Sequence, residues 1–294
     1  MDLTTTYLGL ELDHPLMAGA SPLSDSLDSV RQLEDAGAAA IVMRSLFEEQ
    51  IEQEQLATHD AYEGLAESYA EATSFLPLLP DLVSGPDEYL EHVQRVKAAV
   101  SVPVIASLNG TSLGGWLSYA RMIEDAGADA LELNVYQVAT SLFDTSERLE
   151  QGTIAMVRAL SEALGIPVAV KLSPFYTALA HFATELEGAG ADGLVLFNRF
   201  YQADIDPERL EVNPVLHLST RSELLLRLRW LAVLSGRIQT SLACSGGVHT
   251  GLDVIKAGLC GAHAMQVVSA LLRHGPEHLG VLRQDLVRFL EQNG

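Results

Sequence analysis

The stretch "ADALELNVYQVATS", residues 128–141, contains an apolar run that reads as a buried strand, Ala130 to Leu133, and stops on an amide, Asn134. An asparagine offers both a donor and an acceptor, and a strand-end amide either bonds a neighbouring loop or faces a ligand. Beyond it stand Tyr136, Gln137, Thr140 and Ser141. The tyrosine and the two hydroxyls are candidates to handle a proton, whereas a glutamine cannot act as a general base. A second run, "VAVKLSP", holds Lys171 among apolar neighbours. A lysine flanked by core requires a partner or a task. The run "LVLFN" ends on Asn198, and "LACSGG" ends on Ser245, Gly246 and Gly247, where backbone amides can approach an anion closely. Val268 and Ser269 then lead into a short helical segment, and phosphate sites recur at such places. Simpler readings stand beside these. Asn109 before Gly110 and Ser21 before Pro22 read as turn residues, and Gly246–Gly247 alone fits a tight turn.

These residues share one kind of position, because the chain repeats itself. "LEDAGAAAIVMR" from Leu33, "IEDAGADALELN" from Ile123, "LEGAGADGLVLFN" from Leu186 and "IKAGLCGAHAMQVVS" from Ile255 each read as a helix that ends on glycine, a short turn and a strand buried on both faces. A second phrase alternates with the first: "VSVPVIASLNG" from Val100, "LGIPVAVKLSP" from Leu164 and "GRIQTSLACSGG" from Gly236. With "HPLMAGAS" from His14 this makes eight strands, expected to end near Ala20, Arg44, Leu108, Asn134, Lys171, Asn198, Ser245 and Val268. Helices are expected over 87–100, 116–126, 153–164 and 223–234. Eight βα units in this length predict a closed (β/α)8 TIM barrel, with the polar residues gathered at the carboxyl ends of its strands, where barrels place their sites. An open doubly wound sheet is the alternative, but no GxGxxG follows the first strand. "TTTYLGLELDHP" alternates and turns at Gly9, which predicts a β-hairpin ahead of the barrel. Residues 1–294 read as a single barrel. The long excursions 45–85 and 199–219 follow strands and so fall on the site face as candidate lids or interface loops.

Composition narrows the partners. The formal net charge is −21, from 18 Lys and Arg against 39 Asp and Glu, which argues against a nucleic-acid or anionic-membrane surface. The acidic run from Glu48 to Glu71 reads as a solvated helix face. Cys244 and Cys260 have no metal-like spacing and lie in apolar runs, the pattern of buried thiols in a reducing cytosol. No apolar run is long enough to cross a bilayer, and the first residues lack the pattern of a secretion signal. The expectation is a cytoplasmic protein without a metal site.

Nearly the whole chain resembles the soluble dihydroorotate dehydrogenases, which are FMN-dependent barrels. "GLELDHPLMAGAS" is similar to the family's opening strand under the flavin, which implies contacts from Ala20 and Ser21. "VKLSPFY" resembles its flavin-contacting lysine motif and implies that role for Lys171. "LELN" and "LVLFN" imply flavin- and substrate-facing amides at Asn134 and Asn198. "SGGVHTGLDVIKAGLCGAHAMQVVSALL" is the closest match and implies a phosphate grip by Ser245, Gly246, Gly247, Val268 and Ser269. The resemblance also implies a small-molecule substrate, a CH–CH oxidation or reduction, a place in pyrimidine biosynthesis and a homodimer. The departures fall on the other half of the site. Where the family carries an Asn-x-[Ser/Cys]-Cys-Pro-Asn-like motif, this chain has "NVYQVA", with Gln137 at the position of the base and Ala139 at that of the last asparagine. Arg44 replaces a lysine expected after the second strand, keeping the charge but not the geometry. "YAEATSFLPLLP" stands where the Asn-rich substrate loop is expected, and "HLSTRSE" replaces a glycine pair, offering the Ser219 and Thr220 hydroxyls instead. Arg44 and Arg199 are candidates to receive a substrate carboxylate. The sequence therefore predicts an FMN oxidoreductase with an altered base and substrate loop. A Schiff-base aldolase using Lys171 and a non-catalytic flavin-binding relative are the alternatives.

Overall fold

The computed structural model describes residues 2–47, 86–109, 116–135, 139–199, 204–213 and 217–293. The chain opens with a hairpin of strands β1 (Thr5–Tyr7) and β2 (Leu10–Leu12), paired antiparallel. Eight parallel strands follow: β3 (Leu16–Ala18), β4 (Ile41–Phe47), β5 (Val104–Asn109), β6 (Ala130–Asn134), β7 (Val168–Leu172), β8 (Gly193–Leu196), β11 (Ser241–Ser245) and β12 (Ala264–Val267). They close into a barrel, with β12 paired back to β3 and β8 to β11. Helices α1 (Leu27–Asp35), α2 (Pro86–Ala99), α3 (Trp116–Asp125), α4 (Ser146–Ala163), α5 (Leu179–Gly188), α6 (Leu224–Leu234) and α7 (Gly251–Leu259) alternate with the strands. Two more, α8 (Ser269–His274) and α9 (His278–Asn293), follow β12. The expected (β/α)8 barrel with its leading hairpin is the fold of this chain.

The repeated phrase has the predicted cause. Gly37, Gly127, Gly190 and Gly261 end their helices with φ of +89, +92, +97 and +96°, a region closed to most side chains. Boundaries moved where polar signals outweigh apolar spacing. Helix α4 starts at Ser146 rather than Thr153, because the Thr145 hydroxyl caps it by accepting from Arg148 N at 3.2 Å. Strand β4 runs to Phe47 rather than Arg44, with a register shift between Val42 and Ser45 that lets the strand continue past the arginine. The excursion over 199–219 contains a second hairpin, β9 (Asp204–Asp206) with β10 (Glu211–Asn213). Most of the 45–85 excursion lies outside the described residues.

The core has two shells. Between helices and barrel, leucines, valines and isoleucines from both form the larger one. Inside the barrel, Met17, Val42, Ile105, Ala130, Ala169, Val195, Ala243 and Ala264 form a lower layer with Tyr7, Leu8 and Leu12 of the hairpin. The small residues of that layer leave room for the hairpin to plug the amino-terminal end of the barrel. Leu8 holds a left-handed backbone, φ 56°, at a cost of about 1–2 kcal/mol. Its side chain is buried to 4 %, and burying a leucine returns about 1.5–3 kcal/mol, so the plug is favoured. Gly193 is required there, since a Cβ would stand 2.3 Å from Leu8 Cδ2.

Candidate functional site

Above the plug, the inward positions of the strands turn polar. Glu132 on β6, Lys171 on β7 and Gln266 on β12 are all buried. Lys171 Nζ donates to Glu132 Oε1 at 3.0 Å and to Gln266 Oε1 at 2.9 Å. Gln266 Nε2 donates in turn to Glu132 Oε2. Strands β6 and β7 are neighbours, but β12 lies across the barrel from both, so the three side chains span the interior. The lysine that the sequence singled out therefore has a counter-ion, and it is not alone in an apolar strand.

At the mouth above this cluster stand the strand-end amides. Asn109, Asn134 and Lys171 are in register across β5, β6 and β7. Asn198 follows β8, with its backbone N–H bonded to Leu172 O at 2.7 Å. Among the described residues, Asn109 Oδ1, Asn134 Oδ1 and Asn198 Nδ2 are buried with no hydrogen-bond partner. An unpaired buried polar group costs about 1–3 kcal/mol, and few survive in a native fold without a reason. Three at one mouth make a set of two acceptors and one donor open to a ligand's polar groups. Flavin edges present both ring N–H donors and carbonyl acceptors, so this set fits the FMN that the sequence implies.

Next to β8, the mouth continues at the exit of β11 with the glycine pair. Gly246 and Gly247 have φ of +87 and +85°. A Cβ on Gly246 would meet the Arg227 guanidinium at 2.9 Å, and one on Gly247 would meet Leu224 N at 2.6 Å. The glycines thus let the exit of β11 pack directly on the start of α6. Arg227 is itself buried and donates to Ser245 O at 2.8 Å; burial holds its pKa below the usual arginine value. Gly247 N donates to Ser219 Oγ at 3.2 Å, Ser219 N donates to Ser269 Oγ at 2.9 Å, and His249 Nε2 lies 3.4 Å from Ser219 Oγ. Burial, and then the nearby Arg273, lower the His249 pKa, which favours the neutral ring. Val268 precedes α8, a helix of 6 residues.

Below this cradle, Asp253 accepts from His249 N at 3.2 Å, Thr250 N at 2.9 Å and Thr250 Oγ1 at 2.8 Å, and it takes a forked contact from Arg221, with Nε–Oδ2 at 2.9 Å and Nη2–Oδ1 at 3.0 Å. It caps α7 and fixes the loop that carries His249. Burial works to raise its pKa, but these donors together hold it below the ordinary carboxylate value.

Other predicted site residues sit at the rim. Ser21 is buried and its carbonyl accepts from Ser24 N at 3.1 Å, so it starts the expected turn at the same mouth, after half-buried Ala20. Arg44 reaches Asp25 Oδ2 at 2.5 Å. Arg199 pairs with Glu223 at 3.5 Å, and Thr220 caps the turn that leads into α6. Thr140 and Ser141 are exposed, and the Ser141 hydroxyl accepts from Phe143 N at 3.2 Å within its own loop. Tyr136 and Gln137 lie outside the described residues. Glu132, Gln266 and Asp253 were not singled out in the sequence, and Asn109 was read as a turn residue although it ends β5 as a buried amide. A signal existed for two of them: Glu132 and Gln266 interrupt the apolar runs "ALELN" and "AMQVV".

Comparisons with known proteins point to one family. A family model described as dihydroorotate dehydrogenase matches residues 83–290. The catalytic subunit of dihydroorotate dehydrogenase B (NAD(+)) from Methanothermobacter thermautotrophicus is 25% identical over 300 residues, covering 99% of this chain and 94% of that protein. The protein of the same name from Methanocaldococcus jannaschii is 23% identical over 299 residues, with 99% and 94% covered. Dihydroorotate dehydrogenase A (fumarate) from Lactobacillus delbrueckii subsp. bulgaricus is 28% identical over 178 residues, covering 58% of this chain and 57% of that protein.

Proposed function

The chain belongs to the dihydroorotate dehydrogenase family, and from that premise we propose that it is an FMN-dependent oxidoreductase acting on a CH–CH bond of a small cyclic, pyrimidine-like substrate, with an altered proton base and substrate loop. The observation that carries this reading is the set of buried, unpaired amide atoms on Asn109, Asn134 and Asn198 at one barrel mouth. Bound there, FMN would supply the two-electron acceptor for hydride that the protein side chains lack. The three amides hold the polar edges of ring and substrate. Lys171 provides a fixed cation beneath them. Ser245, Gly246, Gly247, Val268 and Ser269, joined by Ser219, hold the phosphate end, and Ala20, Ser21 and Arg44 close the rim. Residues 1–294 then act as one catalytic unit, a cytoplasmic homodimer working in or beside pyrimidine biosynthesis. Among the described residues no helix is long and apolar enough to cross a membrane.

The Schiff-base alternative draws no support from the geometry. Lys171 Nζ is committed to a carboxylate and to an amide oxygen, which hold it inside the barrel rather than free to attack a carbonyl.

The proton-handling side of the proposal rests on Gln137 standing where relatives carry a base. A general base contributes about 10²–10⁴-fold in rate, so dihydroorotate should bleach the FMN-loaded protein slowly or not at all under anaerobic conditions. A Gln137→Cys variant should bleach faster by a factor within that range. Fast bleaching of the native protein would refute the altered base and assign the proton to Tyr136, Thr140 or Ser141. A single-subunit mass by light scattering at micromolar concentration would refute the dimer.

A further inference from the structure

Lys171 sits in a closed ring of hydrogen bonds. It donates to Glu132 and to Gln266 at 3.0 and 2.9 Å, and Gln266 donates back to Glu132. All three side chains are at least nine-tenths buried, with 6 % exposure at Lys171, 1 % at Glu132 and 0 % at Gln266. Each atom of the Gln266 amide has a defined partner, carbonyl to ammonium and amide N–H to carboxylate, so its orientation is fixed by charge on both sides. Among the described residues no second cation is bonded to this cluster. Tyr7, below, is buried with its hydroxyl unpaired, and the Tyr89 hydroxyl is bonded to the Ser107 backbone at 3.1 and 3.0 Å. Among the described residues Lys171 is the cation bonded to Glu132, and the cluster as a whole is a neutral ion pair.

We propose that Glu132 and Gln266 are positioning residues for Lys171, and that Glu132 determines how much of the lysine's positive charge acts on the bound flavin. This rests on the FMN reading above. A bare ammonium beneath the ring favours the reduced, more negative flavin strongly. An ammonium paired with a carboxylate on the same side acts as a dipole, and its effect is smaller and depends on where the pair points. Gln266, tied to both members from the far wall of the barrel, sets that direction. Lys171 alone is therefore an incomplete description of the electrostatic device, which is the three-residue ring.

The test is a double-mutant cycle read in two ways. Glu132→Gln keeps the shape and removes the negative charge, Lys171→Met removes the positive one, and the double variant removes both. In the FMN-loaded proteins, spectroelectrochemistry gives the midpoint potential. Glu132→Gln should favour binding of reduced over oxidised flavin by on the order of tenfold more than the native protein does, the effect of an uncompensated charge at roughly 10 Å in an effective dielectric of about 20. For a two-electron couple that is a positive shift of about 30 mV. Lys171→Met should shift the potential the other way, and the double variant should return close to native. In the apoproteins, urea unfolding should show the two single losses to be strongly non-additive, with the double variant more stable than their sum. An unmoved potential in Glu132→Gln beside a lowered one in Lys171→Met would overturn the charge role of Glu132. Additive apoprotein losses would overturn the pairing itself. If native protein retains no FMN while the apoprotein coupling persists, the positioning stands and the flavin reading fails.

Discussion

Replacing Gly247 by alanine separates two reasons for the glycine pair, close packing and an anion cradle. Its φ of +85° is strained for any L side chain, and the new Cβ would lie 2.6 Å from Leu224 N and 2.9 Å from Leu224 Cα. Those are backbone atoms at the start of α6, so relief requires the helix to move. The left-handed conformation costs about 1–2 kcal/mol, overpacking adds about 1–3 kcal/mol, and lower unfolded-state entropy returns about 0.4–1 kcal/mol. The net loss is about 1–5 kcal/mol. Gly236 is the control, because it has φ of +72° but nothing within 4 Å of its would-be Cβ. Gly236→Ala should lose about 1 kcal/mol or less. Urea unfolding of the two apoproteins, compared at constant m-value, reads the difference as steric. Equal losses in the two variants would refute the packing account. If Gly247→Ala then folds like the control but no longer holds FMN, the glycine serves the ligand alone.

Two further outcomes follow from the site. Asn109→Ala removes a buried oxygen that has no partner among the described residues; apoprotein stability should hold or rise while FMN affinity, by fluorescence quenching, falls by about tenfold, the value of a hydrogen bond of about 1.4 kcal/mol. Lower apoprotein stability with unchanged affinity would make Asn109 structural. Asp253 titrates below its ordinary value in the fold, so its contribution is complete above the unfolded value of about 3.9 and is lost as pH falls through the lower native one. Asp253→Asn should cost about 2 kcal/mol at pH 7, and that deficit should shrink as urea midpoints are followed down from pH 4. A deficit constant with pH would contradict it. His249 adds a separate loss that begins higher: its lowered pKa means the unfolded chain takes up a proton below about pH 6.5 before the native one does.

The barrel was legible because its signals are local. Each helix-ending glycine needs a left-handed backbone that few other residues adopt, and each strand buried on both faces is a short apolar run, so the eight units could be placed from spacing. The boundaries that moved did so where polar side chains decide, at the Thr145 cap and at the shift in β4 that carries the strand past Arg44. Asn134, Lys171 and Asn198 could be picked out as strand-end polar residues in apolar context. Glu132 and Gln266 were harder, since each looks like a single interruption in its own strand. Their meaning lies in a contact across the barrel between residues 134 positions apart, which no window along the chain contains. Asn109 was misjudged for a related reason. Before a glycine it resembles a turn residue, and only the register with Asn134 shows that it shares the same mouth.

The most direct test of the central claim is the FMN content of the purified protein, reconstituted with excess FMN, desalted and denatured, with the released flavin measured by fluorescence and identified by chromatography. The account predicts a single FMN per chain in the native protein, and clear loss from an Asn134→Ala, Asn198→Ala double variant that remains folded by circular dichroism. A native protein that stays colourless and retains no flavin after reconstitution, or a double variant that retains it fully, would contradict the assignment of this mouth as the flavin site.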